Sequence, residues 1–319
     1  MAHRLENDVN LLVEKIAADY EQNRDIDFVE TFMMPNKDDI VKIIEQLRSI
    51  IFPGYYKNKN YRIYTIRNNL SMQLEDVLYN LSKQISIVLR YLPEHAGKND
   101  TDLLYEGERL SLRFLEKITD IRSLIQTDLQ AAYDGDPAAF NKPEIIFSYP
   151  GLFAIMVNRI AHELYLLGVP LIPRIMTEYA HAQTGIDIHP GTTLGKYFFI
   201  DHGTGIVIGE TAVIGDHVKI YQGVTIGAIS TRAGQKLSGK KRHPTVEDHV
   251  TIYAGASILG GETVIGHDSV IGGNAFITAS IPSNTKVSIK NQELEFKQGR
   301  DGSRSTAEIV QSDEWYYVI

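Results

Sequence analysis

Cysteine is absent from all 319 residues, which excludes disulfides, thiolate catalysis and cysteine-ligated zinc together. Long apolar runs are missing too: stretches such as 164–171 fall well short of the roughly 20 residues that cross a bilayer. The opening Met-Ala-His-Arg-Leu-Glu-Asn-Asp lacks the apolar core of a signal peptide. These absences predict a soluble, cytoplasmic protein with no membrane partner. Positive charge is in deficit, with a net charge of −8, so nucleic acid is not expected as a partner. The insertion 228–245 runs the other way. It carries Arg232, Lys236, Lys240, Lys241 and Arg242 with no acidic residue, either a solvated loop or a surface for an anionic small molecule.

What is present is a period. From 188 to 277 an aliphatic residue falls every six positions, as in Ile208, Ile214, Ile220 and Ile226, then Val246, Ile252 and Ile258, then Ile265, Ile271 and Ile277. Neither a helix nor an ordinary strand repeats at six. A hexapeptide repeat predicts a parallel β-helix, three short strands to a triangular coil with the aliphatic residue pointing inward. The ladder is interrupted at Asp201-His202-Gly-Thr-Gly, at 228–245, and by one residue near Val264.

Upstream, from about residue 4 to 184, the pattern is helical. Leu5, Val9, Leu12, Val13 and Ile16 recur at helical spacing, as do Ile40, Ile43, Ile44 and Leu47 behind a capping Asn36. Periodic stretches follow at 63–92 and 101–132, the latter with Leu110, Leu112, Phe114, Leu115, Ile118 and Ile121 on one face and Asp136-Pro137 as its stop. Further helices are expected at 143–168 and 171–184. The predicted fold class is therefore α+β. A helical domain spans 1–184, a β-helix 185–283, and an extension 284–319 follows. In that extension 285–296 could add strands, and the polar 299–313 reads as a flexible tail.

The first break carries the chemistry. A histidine in a glycine-rich turn is suited to general-base work near neutral pH, and a base needs a carboxylate to set its tautomer. Asp187 lies 15 residues before His202, a little under one 18-residue coil, so it falls one layer away on nearly the same edge. Arg242-His243-Pro244 closes the basic insertion. A guanidinium there suits a carboxylate ligand, with His243 as a donor or second base. His181, His189, His217, His249 and His267 fall at varied phases and commit no three imidazoles to one point, so no metal is expected.

The segments Asp187-Ile-His-Pro-Gly, then Ile200-Asp-His-Gly-Thr-Gly-Ile-Val-Ile-Gly-Glu-Thr-Ala-Val-Ile214, Val224-Thr-Ile-Gly and Arg242-His-Pro resemble, in order, the bacterial serine O-acetyltransferases. The resemblance covers 136–281 well. It implies a left-handed β-helix and transfer of acetyl from acetyl-CoA to L-serine, giving O-acetylserine for cysteine synthesis. It makes His202 the base and Asp187 its orienting partner. Asp136 and Asp201 would hold the substrate ammonium and Arg242 its carboxylate, while His243 would support the same pocket. CoA would lie in a groove between neighbouring β-helices, near Gly227, Ala228, Lys240, Lys241, Tyr253, Ala254 and Gly255. The family also implies a homotrimer or a dimer of trimers and feedback inhibition by L-cysteine. Its C-terminal isoleucine, here Ile319, would insert into cysteine synthase, since a free carboxylate on an apolar side chain mimics an amino acid.

Three departures stand out: a loop before Arg242 about six residues longer, a longer N-terminal region, and no Gly-x-Pro-Ala turn after Pro282. Other acceptors (phosphoserine, homoserine, a sugar) stay open on this fold, as does a zinc enzyme resembling the γ-class carbonic anhydrases.

Overall fold

The computed structural model describes residues 2–22, 24–27, 34–56, 66–230, 232–289, 294–298 and 303–307. Eight α-helices come first: α1 (Ala2–Tyr20), α2 (Lys37–Ile51), α3 (Ile66–Leu89), α4 (Asp100–Leu115), α5 (Ile118–Gly135), α6 (Lys142–Ser148), α7 (Pro150–Leu166) and α8 (Ile172–Thr184). Asn36, Asn99 and Asn141 cap α2, α4 and α6 by accepting from the backbone N–H three residues on. Two expected helices are broken. The stretch 101–132 divides at Glu116-Lys117, where Lys117 N–H bonds the Phe114 carbonyl and tightens the last turn. Leu112, assigned to the apolar face, is exposed, because it lies two residues from both Leu110 and Phe114 and so across the helix from them. The stretch 143–168 bends by 72° at Tyr149-Pro150, because a proline nitrogen starts a helix but cannot continue one. No single helix among the described residues is long and apolar enough to cross a membrane.

The core of this region is built by α2 to α8, with Ile43, Leu47, Leu81, Ile85, Phe114, Ile121 and Ile160 sealed from solvent. α1 does not join it: Leu5, Val9, Leu12, Val13 and Ile16 are all exposed.

At Gly185, a left-handed cap to α8, the chain enters a left-handed parallel β-helix. Its strands are mostly of two residues and form three faces. The first stacks β1 (Asp187–Ile188), β4 (Val207–Ile208), β7 (Thr225–Gly227), β10 (Ser257–Leu259) and β13 (Phe276–Ile277). The second stacks β2 (Thr193–Leu194), β5 (Val213–Ile214), β8 (Thr245–Val246) and β11 (Val264–Ile265). The third stacks β3 (Phe199–Ile200), β6 (Lys219–Ile220), β9 (Thr251–Ile252), β12 (Val270–Ile271) and β14 (Lys286–Val287). The register is in phase, as in Ile188↔Ile208 and Ile220↔Ile252, so each ladder residue lies on its counterpart and the stack from Ile200 to Ile271 is buried. Burying one such side chain is worth about 1.5–3 kcal/mol, and the repetition of that gain holds the coils together.

The interruptions are corner enlargements. Ile200 and Ile208 are eight residues apart instead of six, and Gly203 and Gly205 turn the extra residues outward at positive φ. The one-residue slip before Val264 falls at Gly260, φ 108°, beside Gly261. A Cβ on Gly261 would meet the Lys241 carbonyl at 2.5 Å, and one on Gly260 would meet Ile229 at 2.8 Å. The slip makes room for the base of the long loop.

Beyond β14, Leu294–Gln298 (β15) and Ser303–Ala307 (β16) pair antiparallel, with Leu294 opposite Ala307. Part of the expected flexible tail, 303–307, is thus a strand, held by backbone ladder bonds that its polar composition does not announce. Ile319 and the apolar stretch 315–319 lie outside the described residues.

One buried ion pair joins the two regions. Asp128 on α5 accepts from Arg159 Nε at 2.6 Å and Nη2 at 2.7 Å, and from the Phe198 N–H at 3.0 Å. Arg159, on α7, also donates to the Leu194 and Gly195 carbonyls of the first coil.

Candidate active site

The sequence-derived site residues fall on two different edges of the prism. The edge between the third and first faces carries Asp201 and His202. Behind it, α5 ends at Gly135 and hands over Asp136, whose carboxylate accepts from the Tyr149 hydroxyl at 2.5 Å and from the Ala138 N–H at 2.8 Å. Those bonds hold the Asp136 carboxyl below its usual range, Tyr149 foremost, with the nearby charges of Lys219 and His202 adding to the effect. Burial and the Asp136 carboxylate push the Tyr149 phenol up in turn. Lys219 comes from β6, one coil above. Its ammonium donates to the Gly135 carbonyl at 2.7 Å, lies 4.0 Å from Asp201 and rests over the Phe199 and Tyr221 rings. His202 sits in the left-handed region at φ 57°, its N–H bonded to Asp201 Oδ1 and its ring facing solvent. This edge therefore offers two carboxylates, one cation and an accessible imidazole.

Asp187 is on β1 below that edge, but no hydrogen bond joins it to His202. Its carboxylate, that of Glu178 and a ring nitrogen of His181 lie within 4.8 Å of one another. Glu178 is already ion-paired with Arg174 and bonded to His181, so the trio is a partnered network rather than a vacant ligand set.

The opposite edge, between the first and second faces, holds Arg242 and His243. Arg242 pairs with Glu210, whose other oxygen accepts from the Tyr165 hydroxyl at 3.2 Å. Burial raises the Glu210 carboxyl, but the Arg242 bond and charge outweigh it and the net displacement is downward. Thr211 gathers the loop's end: its Oγ1 accepts from the Arg242 N–H at 2.9 Å and the His243 N–H at 3.1 Å, and its carbonyl accepts from Lys241 Nζ at 2.7 Å. Lys241 thus turns its ammonium onto the backbone, while both lysines remain exposed. Burial first, and Arg242 second, bring His243 down to about 4, so it is neutral at physiological pH.

The residues expected to hold CoA are divided in the same way. Gly227, Ala228, Lys240 and Lys241 belong to the Arg242 edge. Tyr253, Ala254 and Gly255 belong to the His202 edge, where Tyr253 stacks on Tyr221 at 4.9 Å. A whole face separates the two sets within one chain. Tyr149, Lys219, Glu210, Tyr165 and Thr211 join these clusters without having been singled out in the sequence. Only Glu210 and Thr211 carried a signal, as part of Gly-Glu-Thr-Ala.

The chain is similar to known proteins over most of its length. It is 42% identical over 263 residues to a plasmid-encoded serine acetyltransferase of Synechococcus elongatus, covering 81% of this chain and 82% of that one. A 128-residue segment is 50% identical to serine acetyltransferase of Mycobacterium tuberculosis, spanning 40% of this chain and 53% of the relative. Among solved structures, Entamoeba histolytica serine acetyltransferase isoform 3 in complex with cysteine superposes with a TM-score of 0.68 and 35% identity, over 94% of this chain and 96% of that one. Serine acetyltransferase of Neisseria gonorrhoeae in complex with serine gives a TM-score of 0.51 and 28% identity, over 77% and 95%. No family profile matches the sequence. With four-fifths of both chains aligned at that identity, and the same fold in the solved relatives, the chain belongs to the serine acetyltransferase family.

Proposed function

We propose that this chain transfers acetyl from acetyl-CoA to the hydroxyl of L-serine, and that the centre is completed by two chains, the His202 edge of one meeting the Arg242 edge of the next. The observation that carries this reading is the division itself. One edge has two carboxylates for an ammonium and an imidazole for a hydroxyl; the other has a guanidinium for a carboxylate. A free amino acid presents all of these at once, and one chain cannot reach both ends of it. A cyclic trimer of β-helices brings unlike edges together, whereas a two-fold dimer matches like with like.

In the reaction, His202 takes the proton from the serine hydroxyl as its oxygen attacks the thioester carbonyl. The tetrahedral oxyanion collapses, and the sulfur of CoA leaves with the proton that His202 returns. Asp136 and Asp201 bind the ammonium. Lys219 limits the repulsion between them and favours the ionised form of Asp136. Asp187 serves as the orienting carboxylate by turning from His181 toward His202. The candidate CoA residues of both edges line the same inter-chain groove, Lys240 facing the phosphates. The cysteine and serine complexes of the Entamoeba and Neisseria relatives support one pocket for substrate and for L-cysteine as inhibitor, because the two share an ammonium and a carboxylate. Ile319 docking into cysteine synthase, pairing of trimers, and a cytoplasmic location complete the proposal.

Free-thiol release from acetyl-CoA tests it. L-serine is expected to outpace phosphoserine and homoserine, and His202→Ala to lose about two to four orders of magnitude in kcat. Near-full activity in that variant would remove His202 as the base.

A further inference from the structure

His243 is held in a way that settles which nitrogen carries its proton. The Thr211 backbone N–H points at Nδ1 from 3.0 Å, and Thr211 Oγ1 lies 2.9 Å from the same atom. That hydroxyl already accepts from two backbone N–H groups, of Arg242 and His243, so its own hydrogen is free to donate to Nδ1. With two donors aimed at it, Nδ1 keeps its lone pair and the proton resides on Nε2. Nε2 has no hydrogen-bond partner among the described residues. Nor is it one of the buried unpartnered atoms, as Gln222 Oε1 is, so it stays in contact with solvent. The ring edge bearing Nε2 rests on Gly209, where a Cβ would come within 2.2 Å.

We propose that Thr211 is a positioning residue that locks His243 as a neutral donor, with Nε2–H reserved for the carboxylate that Arg242 binds. His243 is then not a second base. The inference rests on the amino-acid acyl-transfer reading above. Burial, Arg242 and Lys241 disfavour an imidazolium and together outweigh Glu210, which favours one and is itself paired with Arg242 and bonded by the Tyr165 hydroxyl. His189 is held neutral by burial, with its own Nδ1 accepting from the Gly191 N–H. A second positive charge beside Arg242 would attract a carboxylate more strongly. A neutral donor makes the bond without a pH limb.

Kinetics of the full-length oligomer, with L-serine varied at saturating acetyl-CoA from pH 6 to 9, supply the test. Glutamine carries an amide N–H₂ to about the place of Nε2 and cannot titrate. His243→Gln is expected to keep kcat and to hold KM within about threefold, whereas His243→Ala raises KM by about ten- to a hundredfold, the loss of one charged hydrogen bond. Thr211→Ser should match the wild type. Thr211→Val should raise KM at unchanged kcat, because the ring loses the hydroxyl that fixes its tautomer and its direction. If His243→Gln is as impaired as His243→Ala and the loss falls on kcat, His243 works by proton transfer and the proposal is wrong. It is equally wrong if Thr211→Val keeps the wild-type KM. The ¹⁵N-imidazole spectrum reads the tautomer whatever the acceptor proves to be. An unprotonated Nδ1 from pH 5 to 8 is expected, and a protonated one would overturn the inference even if L-serine were not the substrate.

Discussion

Replacing Asp128 by Asn removes one charge and almost no volume, and the joint between helices and β-helix should fail. Both side chains of the pair are almost fully buried, at 0% exposure for Asp128 and 4% for Arg159. Burial pushes the Asp128 carboxyl up, while Arg159 and the Phe198 N–H pull it back; an asparagine offers Arg159 no such charge. Its amide oxygen can still accept from Phe198, but its amide nitrogen faces the guanidinium as donor to donor. Breaking one half of a buried pair costs about 3–5 kcal/mol, most of it from the charge left alone. The assay is urea unfolding at fixed protein concentration, read by tryptophan-independent far-UV circular dichroism. Asp128→Asn with Arg159→Met should be less damaging than Asp128→Asn alone, because no uncompensated ion remains. The active site should report the same loosening, since α5 delivers Asp136 eight residues later, and KM for L-serine should rise in the single variant. A midpoint for Asp128→Asn equivalent to less than about 1 kcal/mol of loss, or a double variant as weak as the sum of both singles, would refute the reasoning.

Gly209→Ala places a methyl on the His243 ring; it should fold, because the ladder is untouched, and raise KM for L-serine about as much as His243→Ala, measured in the thiol-release assay. Acid should weaken the fold through His243: its proton affinity is lowered in the native state, so the unfolded chain binds more protons between about pH 4 and 6.5. The stability involved is complete above that window and lost on descending through it, about 1–3 kcal/mol in all, and His243→Gln should abolish this part of the pH dependence in urea titrations. Removal of Ile319 should leave acetyl transfer intact and abolish co-elution with cysteine synthase in size-exclusion chromatography.

Architecture was legible because one physical rule repeats: an inward aliphatic residue every six positions, as Ile208, Ile214 and Ile220 show, can only be satisfied by a coil. The corner carrying Asp201 and His202 was legible for the same reason, since a ladder that breaks and resumes must place its extra residues outside. Lys219 was not. It occupies an ordinary strand position, and its role arises from stacking one coil above Phe199 and beside the end of α5. Tyr149 was hidden similarly, as a residue before a proline whose contact with Asp136 exists only after the helices dock. Thr211 sat inside a motif read as a family mark, yet its function depends on a loop that returns 31 residues later to bond its hydroxyl. The break at Tyr149-Pro150 could have been read from the proline itself; the apolar residues on both sides masked it. The slip at Gly260 acquired a reason only when the base of the 228–245 loop was seen to rest there.

The claim that the centre is shared between chains meets its most direct test in subunit mixing. His202→Ala and Arg242→Ala chains, each inactive alone, are co-refolded in equal amounts and assayed for thiol release with L-serine. In a cyclic trimer each mixed assembly regains one intact centre, so about a quarter of the wild-type activity should return. Mixed trimers that form, as resolved by native mass spectrometry, and yet stay inactive would contradict a centre built from two edges.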